Sequence, residues 1–287
     1  MRNLKNMKIG MTKTMKVFPN NKVKMLQFSK LSEDCNVSHF ITTRIGGVSQ
    51  GAYSSFNVGE YCGDDVVAVR TNRELLSEVI GIPCEHIFTP FQIHGAEVYS
   101  IDTSFLSLSR EEQQQCLYGF DALVTDVPNI CIAVSTADCV PVLLYAPDVK
   151  VVAAIHAGWR GTVQQIVKKT VQYLIDNYAI EVRQLKAGIA PSISQESFEV
   201  GEEVVEAFRS TGIDMECILQ RNMKTGKAHI DLWEANGIQL LACGLSPENI
   251  EVAGICTYIH QEEFFSARRL GIKSGRILSG IMLKDNI

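Results

Sequence analysis

Residues 135–161 read STADCVPVLLYAPDVKVVAAIHAGWRG. Two short apolar runs, residues 142–145 and 151–155, flank a turn at Ala146-Pro147-Asp148. Each run is bounded by turn residues and reads as a buried strand. Paired as a hairpin, the runs bring Cys139 and His156 to the same end. A thiolate beside an imidazole begins either a metal site or a nucleophile–base pair. Two packing residues at a strand end are the third reading that the spacing allows.

The period changes after His156. Val163, Ile166, Val167, Thr170, Val171, Leu174 and Ile175 mark one face of an amphipathic helix running from Gly161 or Thr162 to about Tyr178. Arg160 stands at its start, where backbone N–H groups favour an anion. Upstream, residues 120–125 and 130–135 read as strands that lead into Asp138-Cys139. Residues 87–91 and 98–101 read as strands on either side of Gln92-Ile93-His94-Gly95, which places His94 in a turn. Residues 23–28 and 39–43 read as early strands. TTRIGGVSQG, residues 42–51, sets Arg44 beside paired glycines. Glycines permit close backbone approach, and the guanidinium can reach a phosphate or carboxylate. A solvated arginine on a surface turn is the plainer alternative.

Asp64-Asp65 opens a helix with Val66, Val69, Leu75, Leu76, Val79 and Ile80 on its apolar face, and Gly81 ends it ahead of Pro83. Downstream, strands at 185–189, 250–255 and 276–283 interleave with a helix at 202–208 and another from residue 230 to a stop at Gly244. The alternation lacks a strict βαβ rhythm and points to a layered α+β core rather than a doubly wound sheet.

With 287 residues and 46% hydrophobic content, the chain can bury one large domain or two fused halves. Residues 1–22 are basic, lack the apolar centre of a signal peptide, and read as a flexible N-terminal tail. A net charge of −5 argues against nucleic acid as a partner, and no apolar run is long enough to cross a membrane. The nine cysteines, without a CxxC pair, fit free thiols in a reducing cytoplasm.

His94, Cys139 and His156 supply two imidazoles and a thiolate. That soft set suits Zn²⁺ and also accepts copper. The metal-free rival makes Cys139 a nucleophile, His156 its base and Asp138 the orienter. No HxxxH or CxxC clamp decides between them.

Seven segments, in order, carry a resemblance: TTRIGGVSQGAY, FNVGEYCGDD, QIHG, DALVT, TADCVPVLLY, HAGWRGT and FFSARR. Together they resemble the YfiH-like family over about residues 23–283. Its members were long labelled polyphenol oxidases or multicopper laccases and later described as purine nucleoside phosphorylases. The resemblance implies an α/β/β/α layered fold, with residues 23–287 as one catalytic domain. It also implies a metal held by His94, Cys139 and His156. The implied substrates are adenosine, inosine, guanosine and methylthioadenosine, with phosphate as co-substrate, plus adenosine deamination. On that footing Arg44 is the first candidate for the phosphate and Arg160 the second. Asp138 becomes an orienter or proton acceptor. The paired HxH and HCH runs of multicopper enzymes are missing, which ranks a copper-dependent phenol oxidase low. Ile189-Ala190 before Pro191, and Phe198, depart from the family pattern and are expected to bear on substrate contacts.

Overall fold

The computed structural model describes residues 15–18 and 22–285. Its strands are β1 (Lys16–Val17), β2 (Met25–Gln27), β3 (Val37–Thr42), β4 (Ile87–Phe88), β5 (Val98–Ser100), β6 (Ala122–Thr125), β7 (Cys131–Thr136), β8 (Val140–Ala146), β9 (Val151–Ala157), β10 (Lys186–Ile189), β11 (Glu199–Val200), β12 (Leu219–Arg221), β13 (Ala228–Ile230), β14 (Ile250–Val252) and β15 (Ile277–Leu283). Its α-helices are α1 (Val66–Ile80), α2 (Arg110–Cys116), α3 (Trp159–Val163), α4 (Ile166–Tyr178), α5 (Glu202–Arg209), α6 (Met215–Ile218), α7 (Leu232–Ala242) and α8 (Ala267–Leu270).

The strands form two six-stranded sheets, ordered β1-β2-β3-β15-β7-β4 and β14-β10-β8-β9-β6-β5, and a small β11-β13-β12 sheet. Side-chain alternation explains why the central strands read as unbroken apolar runs: both of their faces are covered. In β8, Leu143 and Tyr145 join Ile132 and Val134 of β7 and Ile277 and Ile281 of β15 in the core shared by the two sheets. Val142 and Leu144 point the other way, into a cluster with Ile166, Val167 and Val171 of α4. On the opposite side, Cys131, Ala133, Leu278 and Met282 pack with Leu76 and Ile80 of α1. The result is helix, sheet, sheet, helix, the α/β/β/α layering that the resemblance implies.

The expected hairpin is present. β8 and β9 pair antiparallel, with Val140 opposite Ala157 and Pro141 opposite His156. Helix α1 has the expected limits. The Asp65 side chain accepts from the Val67 and Ala68 N–H groups, and Gly81 closes the helix at φ 72°.

The helix expected from Gly161 or Thr162 to Tyr178 is broken. α3 stops at Val163, Gln165 takes φ 62°, and α4 restarts at Ile166. Gln239 of α7 bridges the break: its side-chain N–H donates to the Thr162 carbonyl at 2.8 Å, alongside the Gln165 N–H, and its Oε1 accepts from the Lys168 N–H at 3.4 Å. The strand at 276–283 is central, not peripheral, because β15 lies between β3 and β7. Most of the expected tail, residues 1–14 and 19–21, lies outside the described residues, while Lys16–Val17 pairs with β2. No helix among the described residues is long and apolar enough to cross a membrane.

Candidate active site

The hairpin end assembles the donors. Cys139 immediately precedes β8, and His156 is the next-to-last residue of β9. His94 arrives on the 91–95 loop at φ 62°, an uncommon conformation for a non-glycine residue. The three ligand atoms lie within 4.8 Å of one another. Gly158 makes room for them. A Cβ there would sit 3.1 Å from Cys139 Sγ, 3.2 Å from His94 Cδ2 and 3.7 Å from His156 Nε2.

Asp121, just before β6, organises both histidines. Its Oδ1 accepts from His156 Nδ1 at 2.7 Å and from the His94 N–H at 3.0 Å. Its Oδ2 accepts from the Gly95 N–H at 2.6 Å and from the Ile93 N–H at 3.3 Å. The His156 N–H donates to the Asp121 carbonyl at 2.7 Å. A carboxylate only accepts, so the ring proton of His156 sits on Nδ1 and leaves Nε2 toward Cys139 and His94. Asp121 is fully buried. Burial pushes its carboxyl up, and His156 with the Gly95 and Ile93 N–H groups more than reverses this.

The same opposition sets the thiol and the ring. Desolvation pushes Cys139 up, but His156 and His94 bring it down to about 6. Desolvation pulls His156 down, while Cys139 and Asp121 raise it to about 9. Without a metal the pair favours thiolate and imidazolium. The donor set fits a metal: one thiolate, two imidazoles, and a carboxylate that fixes a ring tautomer.

The donors open onto a cavity of about 400 Å³. Tyr61, Phe91, Gln92, Ser135, Thr136 and Arg276 also line it. The Arg276 stem crosses Gly59, where a Cβ would come within 2.8 Å of it. NH1 of Arg276 donates to the Ser274 and Gly275 carbonyls and NH2 to the Ile272 carbonyl. No protein bond engages its Nε–H among the described residues.

Other candidates lie elsewhere. Arg44 does not line this cavity. Its Nε donates to the Ser54 carbonyl and its NH1 to the Gln261 carbonyl, both at 2.7 Å, and its guanidinium lies 4.8 Å from the Phe265 ring centre. Arg160 stacks on Trp159 at 4.3 Å in a five-residue helix and is also outside the cavity lining. Asp138 does not orient His156. Its carboxylate accepts from Thr257 Oγ1 and the Arg268 N–H, both at 2.7 Å, and anchors a φ of 90° next to Cys139. The orienting acid is Asp121. The departing residues Ile189 and Phe198 sit in the core beneath the helices, and Ala190 in the core between the sheets; none of them lines the cavity.

Sequence reasoning placed the DALVT segment but gave Asp121 no role. Its available signal was an acid directly before a strand buried on both faces, where an unpaired carboxylate would be costly. Arg276 carried no comparable local mark.

The chain has relatives among known proteins. Residues 38–284 match the family model described as multi-copper polyphenol oxidoreductase laccase. A relative from Bacteroides thetaiotaomicron named purine nucleoside phosphorylase is 52% identical over 260 residues, covering 91% of this chain and 96% of the relative. A protein named adenosine deaminase RL5, from an unknown prokaryotic organism, is 43% identical over 90% of this chain and 98% of its own length. The crystal structure of YlmD from Geobacillus stearothermophilus superposes with a TM-score of 0.84 at 30% identity, covering 94% of this chain and 99% of YlmD. The YfiH protein of Bacillus licheniformis gives a TM-score of 0.84 at 28% identity, over 92% of this chain and 98% of its own. With the motifs, the layered fold and these relatives in agreement, the chain belongs to the YfiH-like family.

Proposed function

We propose that this chain is a zinc-dependent purine nucleoside phosphorylase with adenosine deaminase as a second activity. It converts adenosine, inosine, guanosine and methylthioadenosine to the free base plus ribose 1-phosphate or its methylthio analogue. The observation that carries this reading is the convergence of His94, Cys139 and His156 on a cavity that also holds a cation, Arg276. Relatives named for phosphorolysis and adenosine deamination supply the substrate class.

In phosphorolysis a phosphate oxygen attacks the anomeric carbon of the ribose. The glycosidic C–N bond breaks, and the purine leaves with its electrons and takes up a proton. His94, Cys139 and His156 would hold the ion. When bound, Zn²⁺ supplies fixed positive charge that orients an oxyanion and acidifies a water. Asp121 fixes the His156 tautomer, and its grip on the Ile93, His94 and Gly95 N–H groups fixes the loop that carries His94. Arg276 replaces Arg44 and Arg160 as the phosphate contact in this reading, because its side chain lines the cavity and theirs do not, and its Nε–H meets no acceptor among the described residues.

The test is inosine with and without phosphate, followed by chromatography. Hypoxanthine and ribose 1-phosphate formed only with phosphate support the reading. No base release from protein shown to contain zinc overturns it. The family description keeps a copper phenol oxidase as the second reading, and oxygen uptake with a phenol plus metal analysis separates the two. A metal-free Cys–His hydrolase would survive chelation and be blocked by thiol alkylation.

A further inference from the structure

We infer that Tyr61 and Phe91 form the wall against which the face of the purine ring stacks. This rests on the phosphorylase reading above. Both rings line the cavity that holds the donor triad. Both are exposed, Tyr61 at 54% and Phe91 at 36%. Clustered exposed aromatics on a cavity wall mark a binding surface. Phe91 is held rigidly: its N–H donates to the Leu117 carbonyl, and its own carbonyl accepts from the Gly119 N–H. One face of Phe91 stacks on Tyr118 with centroids 4.8 Å apart and planes at 14°. Tyr61 meets Phe91 edge-on, 4.9 Å away at 69°. This fixed aromatic corner is a ready platform for a flat heterocycle.

Chain distance places the corner well. Phe91 precedes His94 by three residues, a span of at most about 11 Å. That is comparable with the long axis of a nucleoside, so a base on the wall sets the sugar toward the donors.

Two neighbouring side chains are tied to protein, while Thr136 Oγ1, also on the lining, has no hydrogen-bond partner among the described residues. Gln92 donates to the Ser135 carbonyl at 3.0 Å and accepts from the Ser135 N–H at 2.8 Å. Glu60 accepts from Thr89 Oγ1 at 3.2 Å and faces Arg73 at 3.4 Å. Recognition by ring faces tolerates different exocyclic groups, since every base has a π-face.

Phe91→Ala and Tyr61→Ala test this in both reaction directions. In synthesis from hypoxanthine and ribose 1-phosphate, the expected result is a KM for hypoxanthine raised roughly 10-fold. The KM for ribose 1-phosphate and kcat stay near wild type, and Phe91→Trp restores the hypoxanthine KM. A purely structural role would move both KM values and the melting temperature together, which overturns the inference. Unchanged KM values with a change of oligomeric state also overturn it, and make the corner a contact between copies of the chain. Wild-type protein that turns over no purine nucleoside overturns the phosphorylase reading and this inference with it. Wild-type turnover of inosine with both variants unaffected overturns this inference alone.

Discussion

Two segments of the chain offer candidate sites in the sequence, and only one of them borders the cavity. The glycine-rich loop after β3 offers Arg44, and the end of the β8–β9 hairpin offers Cys139 and His156. At the loop, polar groups tie protein segments together. Arg44 holds the Ser54 and Gln261 carbonyls, and the Asn72 amide donates to Ser49 Oγ and to the Ser55 and Asn57 carbonyls. At the hairpin end, Asp121 engages one nitrogen of His156 and leaves the other beside Cys139 and His94, facing open space. A glycine-rich loop with an arginine is therefore not by itself an anion site: Arg44 commits two donors to carbonyls and lies outside the cavity lining. Here it works as a clamp between segments 54–55 and 261–263.

The largest effect that sharpens this contrast is expected for Cys139→Ala. Removal of one of three donors should lower bound zinc and phosphorolysis by at least about 100-fold. Metal analysis and inosine turnover read it, and retained turnover in the metal-free variant would break the contrast. Asp121→Asn should come next, with metal affinity down about 10–100-fold, because the amide no longer offers two accepting oxygens to the histidine loop. Competition with a chelator measures it. Arg276→Gln should raise the KM for phosphate roughly 10-fold through loss of a charge-assisted contact. Arg44→Ala should leave that KM unchanged and cost about 1–3 kcal/mol of unfolding free energy, because it strips two carbonyls of their donor. An elevated phosphate KM in the Arg44 variant would reverse the assignment of the two arginines.

The histidines repeat the contrast at smaller scale. His39 in β3 is buried, which depresses it to about 3, and its Nε2 accepts from the Phe28 N–H at 2.7 Å. Its unfolded value is near 6.5. The unfolded chain binds the extra proton between these values, so His39's contribution is complete above pH 6.5 and is lost as pH falls toward 3. The decline is about 1.4 kcal/mol per pH unit. Denaturant unfolding at pH 7 and at pH 5.5 should show a smaller drop in His39→Gln than in wild type.

Much of the frame was legible because its signals are local. Asp65 and Gly81 bracket α1, and the Ala146-Pro147-Asp148 turn joins β8 to β9. The donor residues were legible as types at strand ends. What joins them was not. Asp121 meets His156 across 35 positions and the His94 loop across about 27, and no local pattern encodes such a contact. The break between α3 and α4 was hidden for a similar reason. Gln165 carries no mark of a left-handed residue, and the group that compensates for the break, Gln239, lies on α7. Asp138 misled because adjacency to Cys139 suggested partnership, while its carboxylate is held by Thr257 and Arg268.

The central position of β15 has a consequence for the order of assembly. β3 and β7 have no bond to each other until residues 277–283 arrive between them. While the ribosome is still making the chain, the sheet with β8 and β9 can pair, yet its neighbour stays divided and the apolar faces between them remain wet. Such long-range closure is slow and exposes surface to aggregation until translation passes Leu283. Arg276 adjoins that same strand, so a product truncated before it lacks the cavity's cation along with its fold.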